Sequence, residues 1–275
     1  MLKNLLTRAG SGLLFIVVML VCIWKTNLYF GTLFMILTIL GMNEFYQMAN
    51  KREELSVSRT LSIIGGALLF LMTYMVCFMK VELMWYSIVF VYLAILMIVE
   101  LFRCKTNPLL NIAISCMGIL YVSLPFSLMC YVASIPSYGS YLLMSFFVII
   151  WMSDTGAYLA GVTLGKHKMF ERISPKKTWE GFAGGLTFAI LFGVVLSKIT
   201  PVPLGCLTWV LFSAVIFVFG VLGDLVESML KRNLSIKDSG KFLPGHGGLL
   251  DRFDSSLIAA PALFMMTLIF VEYIF

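Results

Sequence analysis

Nine stretches of this chain run without a charged side chain over about the length that a bilayer core demands, with Asp154 the one exception. They are Ser11–Trp24, Asn27–Asn43, Thr60–Met79, Leu83–Val99, Pro108–Ala133, Tyr141–Gly165, Gly181–Ser197, Leu204–Gly223 and Ser255–Val271. A helix crossing hydrocarbon needs roughly 17–25 predominantly apolar residues. It must also satisfy every backbone N–H and C=O internally, which continuous apolar runs achieve as helices. The first stretch is the shortest and must borrow flanking residues. The weakest break is Ser134–Ser140, where Pro136 and Gly139 supply a tight turn. With 60% hydrophobic and 12% charged residues among 275, the chain is far more apolar than a soluble domain. The expected fold is all-α: a polytopic integral membrane protein of about nine transmembrane helices, with residues 1–275 as a single membrane domain.

Orientation follows from the basic residues, because short loops rich in Lys and Arg stay in the cytoplasm. With nine spans, the side shared by the N-terminus takes Lys3, Arg8, Lys51, Arg52, Arg59, Arg103, Lys105, Lys166, Lys168, Arg172, Lys176, Lys177, Lys231, Arg232, Lys237, Lys241 and Arg252. The other side takes only Lys25, Lys80 and Lys198. The expectation is an N-terminus in the cytoplasm and a C-terminus outside. A net charge of +6 then suits anionic lipid headgroups and does not imply nucleic acid. The six cysteines show no C-x-x-C spacing and read as packing residues. Lys3 and Arg8 precede an apolar run as in a signal peptide. Lys25-Thr26-Asn27 follows that run without a small-residue cleavage site, however, and a second span begins at once, so a retained span is expected.

Residues 1–135 hold five spans and little visible chemistry. Glu44 and Glu100 sit near cytoplasmic span ends, where each is expected to reach water or to pair with Lys51, Arg52 or Arg103. From 136 onward the character changes. Asp154 lies inside an apolar helix beside Thr155 and Gly156, and reads either as structural glue bonded to nearby hydroxyls or as the lining of a wet cavity. Ser174-Pro175 favours a turn before a helix start, which would put Lys176, Lys177 and Thr178 near a helix N-terminus, a position suited to anions.

The densest chemistry runs from Ser228 to Asp254. It holds five cations, the carboxylates Asp238, Asp251 and Asp254, and a Pro-Gly-His-Gly-Gly turn at Pro244–Gly248. Lys and Arg meet phosphate oxygens, and hard carboxylate oxygens hold Mg²⁺. Just before it, Asp224, Glu227, Ser228 and Lys231 fall at helical offsets on one face. Asp251 and Asp254 stand three apart at the start of the last span. Antiparallel neighbouring spans would bring Asp224 and Asp251 together, and a divalent cation would remove the repulsion between them. The glycines, Gly247 and Gly248 among them, would let backbone N–H groups converge on a phosphate. His246 reads as a proton donor, a phosphate ligand or a loop-stabilising hydrogen bonder.

Ser228, Lys231-Arg232, Lys237-Asp238, Gly240, Leu243-Pro244, His246-Gly247-Gly248, Asp251-Arg252 and Asp254 fill every fixed polar or small position of a 27-residue pattern. In this the chain resembles the phosphatidate cytidylyltransferase, or CDP-diacylglycerol synthase, family. The segments DTGAYLAG and SPKKTWEG add to the resemblance, which thus covers the C-terminal half by motif. It implies transfer of a cytidylyl group from CTP to phosphatidate, giving CDP-diacylglycerol and pyrophosphate, at the inner membrane of a bacterial cell with the site facing the cytoplasm.

The same resemblance implies roles. Asp224 and Asp251 would hold Mg²⁺ or Mn²⁺, with Asp254 or Asp238 helping directly or through water, and a second cation has a place in such a site. Lys231, Arg232, Lys237 and Arg252 would hold phosphates, as would the backbone at Gly247 and Gly248. Ser228 would bond a phosphate or a metal-bound water, and His246 would donate to phosphate. Lys176 and Lys177 would complete the nucleotide or lipid-phosphate site, and Asp154 is a further candidate. A homodimer is the family expectation. The alternatives are a CTP-dependent lipid alcohol kinase, which would release CDP, and a transporter coupled through Asp154 and Asp224.

Overall fold

The computed structural model describes residues 2–234, 236, 238–240 and 247–274, and among them the side chains of residue 10 and of residues 12–270. Lys237 and His246 lie outside the described residues. Among the described residues there are ten α-helices: α1 Leu2–Lys25, α2 Asn27–Ala49, α3 Arg59–Met79, α4 Ser87–Arg103, α5 Pro108–Gly118, α6 Leu124–Ala133, α7 Gly139–Leu164, α8 Trp179–Ile199, α9 Cys206–Asn233 and α10 Leu250–Ile274. Among the described residues, eight helical segments are long and apolar enough to cross a membrane: Asn27–Ala49, Arg59–Met79, Leu83–Arg103, Pro108–Ala133, Gly139–Leu164, Trp179–Ile199, Cys206–Asn233 and Leu250–Phe270. The first expected span falls short among the described residues, where Gly12–Lys25 is a shorter apolar helix. The protein is a helical, polytopic integral membrane protein.

The span Pro108–Ala133 contains both α5 and α6, and its irregularity has a local cause. Pro125 has no N–H to give the carbonyl four residues back, and the helix widens into a π turn over Ile119–Ser123 just before it. Pro108 opens α5 at a position where its missing N–H costs nothing.

Two compact units divide the chain. The first comprises residues 1–134 and 233–253, and the second residues 135–232 and 254–275. The motif segment from Asn233 to Phe253 therefore belongs with the N-terminal helices. Its own residues show why. The Phe253 ring packs edge-on against Phe126 at 5.2 Å and Phe15 at 5.9 Å, extending an aromatic column in which Phe30 stacks on Phe34 and Phe34 meets Phe126. Arg52 donates to both the backbone carbonyl and the side-chain oxygen of Asn233. Nearby, Glu100 is buried where it accepts from Arg103 at 2.5 Å and from Asn111 at 2.6 Å, pinning α4 to α5. The expected pairing of Glu100 with Arg103 is present.

In the second unit α7 and α8 approach so closely that only small residues fit between them. A methyl group at Gly184 would fall on Ala160, one at Gly156 on the Phe188 ring, and one at Gly185 on the Phe217 ring of α9. Such contacts replace the hydrophobic drive that lipid does not provide. Between α7 and α8 an antiparallel hairpin pairs β1, Lys168–Phe170, with β2, Ser174–Thr178. Ser174-Pro175 therefore opens a strand rather than the turn that its sequence suggests. Both residues favour extended backbone, Pro175 through its ring and Ser174 by preceding it, and an edge strand tolerates the missing N–H. Thr178 then caps α8, its Oγ1 accepting from Gly181 N at 3.1 Å.

Candidate functional site

Each unit contributes one polar constellation. In the second unit it forms where α7, β2, α9 and α10 each bring a charged residue. Asp154 comes from the middle of α7 and is exposed. Asp224 sits on α9 one residue after Gly223, where α9 and α10 nearly touch: a Cβ at Gly223 would lie 2.6 Å from the Asp254 carbonyl oxygen and 3.0 Å from that of Ser255. That approach sets Asp224 beside Asp254. The three carboxylates interact electrostatically, with Lys177 and Lys231 as the facing cations.

Lys177 reaches in from β2, its Nζ 2.8 Å from Asp224 Oδ2 and 3.2 Å from the Val221 carbonyl oxygen. Its neighbour Lys176 is exposed, because successive strand residues point to opposite faces. Ser228, one turn after Asp224 on α9, donates to Asp224 Oδ1 at 3.3 Å. Lys231 donates to Glu227 Oε2 at 2.9 Å, and Glu227 is 1% exposed. The helical stripe read from the sequence thus exists, with Glu227 as its buried anchor. Arg232 is exposed, its Nε 3.5 Å from the Ile173 carbonyl oxygen. Asp254 Oδ1 accepts the N–H of Ser255 at 2.6 Å.

The first unit holds the glycine turn of the motif. Asp251 Oδ2 accepts two backbone N–H groups, from Gly248 at 2.8 Å and from Ser239 at 3.0 Å. Gly247 takes φ +84°, a backbone angle that side chains rarely tolerate. Asp238 and Arg252 are exposed. A carboxylate outside the motif completes this constellation: Glu44 of α2 accepts the Leu250 N–H at 2.7 Å. The sequence reading expected Glu44 to reach water or to pair with Lys51, Arg52 or Arg103. The structure gives Arg52 to Asn233 and Glu44 to the start of α10, whose first N–H groups have no partner within the helix. The only signal in the sequence was a carboxylate in an otherwise apolar span.

Asp224 and Asp251, paired in the sequence reading, belong to different units, and within its own unit Asp224 meets Asp154 and Asp254. Among the described residues no group of three or more His, Cys, Asp and Glu forms a ready set of metal ligands. The donor set of Asp224 and Asp254 nonetheless fits Mg²⁺, which takes hard oxygens. That ion usually binds through one or two carboxylates together with water and substrate phosphate.

Lys177 offers a direct test of this site. Its pair with Asp224 is only partly exposed, and a charge-assisted bond contributes strongly there. Lys177→Ala is expected to lower turnover at this site roughly 10²-fold, measured by steady-state kinetics. Wild-type kinetics would show that Lys177 serves only to neutralise Asp224.

The profile of the Cytidylyltransferase family matches residues 6–270. A phosphatidate cytidylyltransferase of Bacillus subtilis (strain 168) is 42% identical over 151 residues, covering 55% of this chain and 56% of the relative. Those of Staphylococcus haemolyticus (strain JCSC1435) and Staphylococcus aureus (strain COL) are 41% identical over 154 residues and 47% identical over 129 residues. They are covered over 58% and 49% of their lengths, by 56% and 46% of this chain. The matched part thus spans about half the length of these relatives. With a family profile that runs nearly end to end, over residues 6–270, the chain belongs to the cytidylyltransferase family.

Proposed function

We propose that the protein transfers a cytidylyl group from CTP to phosphatidate, releasing pyrophosphate and leaving CDP-diacylglycerol in the membrane. The observation that carries this reading is the cluster of Asp154, Asp224 and Asp254 with Lys177 and Lys231, in a chain matched by the family profile over residues 6–270. Such a cluster suits a reaction that must bring two anions together. A phosphatidate phosphate oxygen attacks the α-phosphorus of CTP, and the bond from that phosphorus to the bridging oxygen breaks, so pyrophosphate departs with the electron pair. The nucleophile is already an anion, and no strong general base is required.

Asp224 and Asp254 would hold Mg²⁺, which supplies charge neutralisation for the phosphates. Lys177 and Lys231 pair with Asp224 and Glu227. When nucleotide arrives, Lys177 exchanges its carboxylate for a phosphate oxygen. Charge that grows on the leaving pyrophosphate and the equatorial oxygens then meets a cation already in place. Ser228, bonded to Asp224, keeps that carboxylate oriented. The turn at Gly247 and Gly248 and the exposed Arg252 serve phosphate.

The basic residues support nine spans with the N-terminus in the cytoplasm, the C-terminus outside and the site opening to the cytoplasm of a bacterial inner membrane. CTP then arrives from water while phosphatidate keeps its acyl chains in the leaflet. The test is to incubate the purified protein with labelled CTP, phosphatidate and Mg²⁺. CDP-lipid and pyrophosphate in equal amounts support the reading. CDP with a phosphorylated lipid would establish a kinase instead, and solute flux in liposomes without nucleotide would establish a transporter.

A further inference from the structure

We propose that Glu44, on the second helix and outside the motif, is a positioning residue that holds the signature loop in register. The proposal rests on the cytidylyl-transfer reading for its kinetic consequence, but not for its structural one. Four observations converge on this carboxylate. Glu44 is 7% exposed, and its Oε2 accepts the Leu250 N–H at 2.7 Å, at the first residue of α10. The buried Ser239 hydroxyl faces the same carboxylate. A methyl at Gly240 would land on Glu44, and one at Gly248 would fall on both Ser239 and Glu44. The two glycines are thus small because the Glu44 carboxylate fills the room beside them.

Glu44 also shares its work with Asp251. Asp251 Oδ2 takes the N–H groups of Ser239 and Gly248, and Glu44 takes that of Leu250. Two carboxylates thereby bind three amides around the glycine turn and the start of α10, where a helix N-terminus favours negative charge. Burying a carboxylate in an apolar span is costly, and backbone donors offset that cost only while the loop stays in place. Loop and carboxylate therefore stabilise each other. Asp251 lies beside Arg252 in the motif, but Glu44 is far from it in sequence and meets the phosphate turn by packing against Gly248. Its effect on catalysis passes through the loop.

Hydrogen–deuterium exchange and steady-state kinetics on the full-length protein in lipid nanodiscs test this. Glu44→Gln keeps the volume and one acceptor oxygen, and Glu44→Ala removes both. Glu44→Ala is expected to speed exchange in the peptide covering residues 247–252 roughly 10- to 100-fold, with exchange in α7 and α8 unchanged. The KM for CTP should rise by about tenfold or more, on the same grounds, and Glu44→Gln should recover part of both losses. Glu100→Gln serves as the control: it alters an equally buried carboxylate of the same unit and should lower thermal stability while leaving the KM for CTP unchanged.

Exchange at 247–252 equal to wild type in Glu44→Ala would overturn the proposal. A uniform rise in exchange across the chain, with KM unchanged, would also overturn it by making Glu44 a general contributor to stability. If the wild-type protein forms no CDP-lipid, the functional reading fails, whereas the exchange data still decide whether Glu44 holds the loop.

Discussion

Asp224→Ala is expected to lower kcat for CDP-lipid formation by on the order of 10²–10³-fold, the scale seen when a preorganised charge is removed from a transition state. Three contacts meet at this side chain. Lys177 pairs with Oδ2, Ser228 donates to Oδ1, and Asp254 lies across the narrow gap at Gly223. The alanine variant would free Lys177 and leave Asp254 to bind the cation alone. Asp224→Asn is expected to be nearly as impaired, because the amide keeps the shape but not the charge that a divalent cation and Lys177 require. Both variants should need more Mg²⁺ for half-maximal rate. Turnover near wild type in both would sink the assignment of Asp224 as a metal ligand.

Asp251→Ala should be as damaging by a different route. Its Oδ2 carries two backbone N–H groups, and leaving a buried donor unsatisfied costs roughly 1–3 kcal/mol. Loss of both bonds lets the turn at Gly247 and Gly248 open, so a fall in kcat/KM for CTP of about 10²-fold is expected on the same scale. The discriminating variant is Asp251→Asn, which retains an oxygen to accept from Gly248 or Ser239. It should recover a good part of the activity, with an unchanged Mg²⁺ requirement, where Asp224→Asn does not. If Asp251→Asn were as inactive as Asp251→Ala and needed more Mg²⁺, Asp251 would be the metal ligand that the motif implied, and its role as a clamp on the loop would fail.

The contrast between these two aspartates marks where sequence stops being informative. Both stand in or just before the motif, both are carboxylates at the end of a span, and helical spacing treats them alike. What separates them is the partner each meets. A motif states which side chains the chemistry needs, but not which backbone amides compete for their oxygens. The same holds for Lys176 and Lys177, adjacent in sequence. Strand geometry exposes the first and sends the second to Asp224. A reading that expected a turn at Ser174-Pro175 ahead of a helix start had no reason to distinguish them.

The sequence by itself determined that this is a helical membrane protein, where most of its apolar helices begin and end, and where its polar residues concentrate. Apolar length and backbone satisfaction are local requirements, and a dense polar motif stands out against an apolar background. Tertiary structure alone decided that Asp224 gathers with Asp154 and Asp254, and that the motif segment from Asn233 to Phe253 belongs with the N-terminal helices. It also decided that Glu44, in a half with no visible chemistry, holds the start of α10. These depend on which helices pack together and how closely small residues let them approach. One chain shows no such pairing, because a carboxylate 206 residues away from the amide it binds leaves no mark on the local pattern.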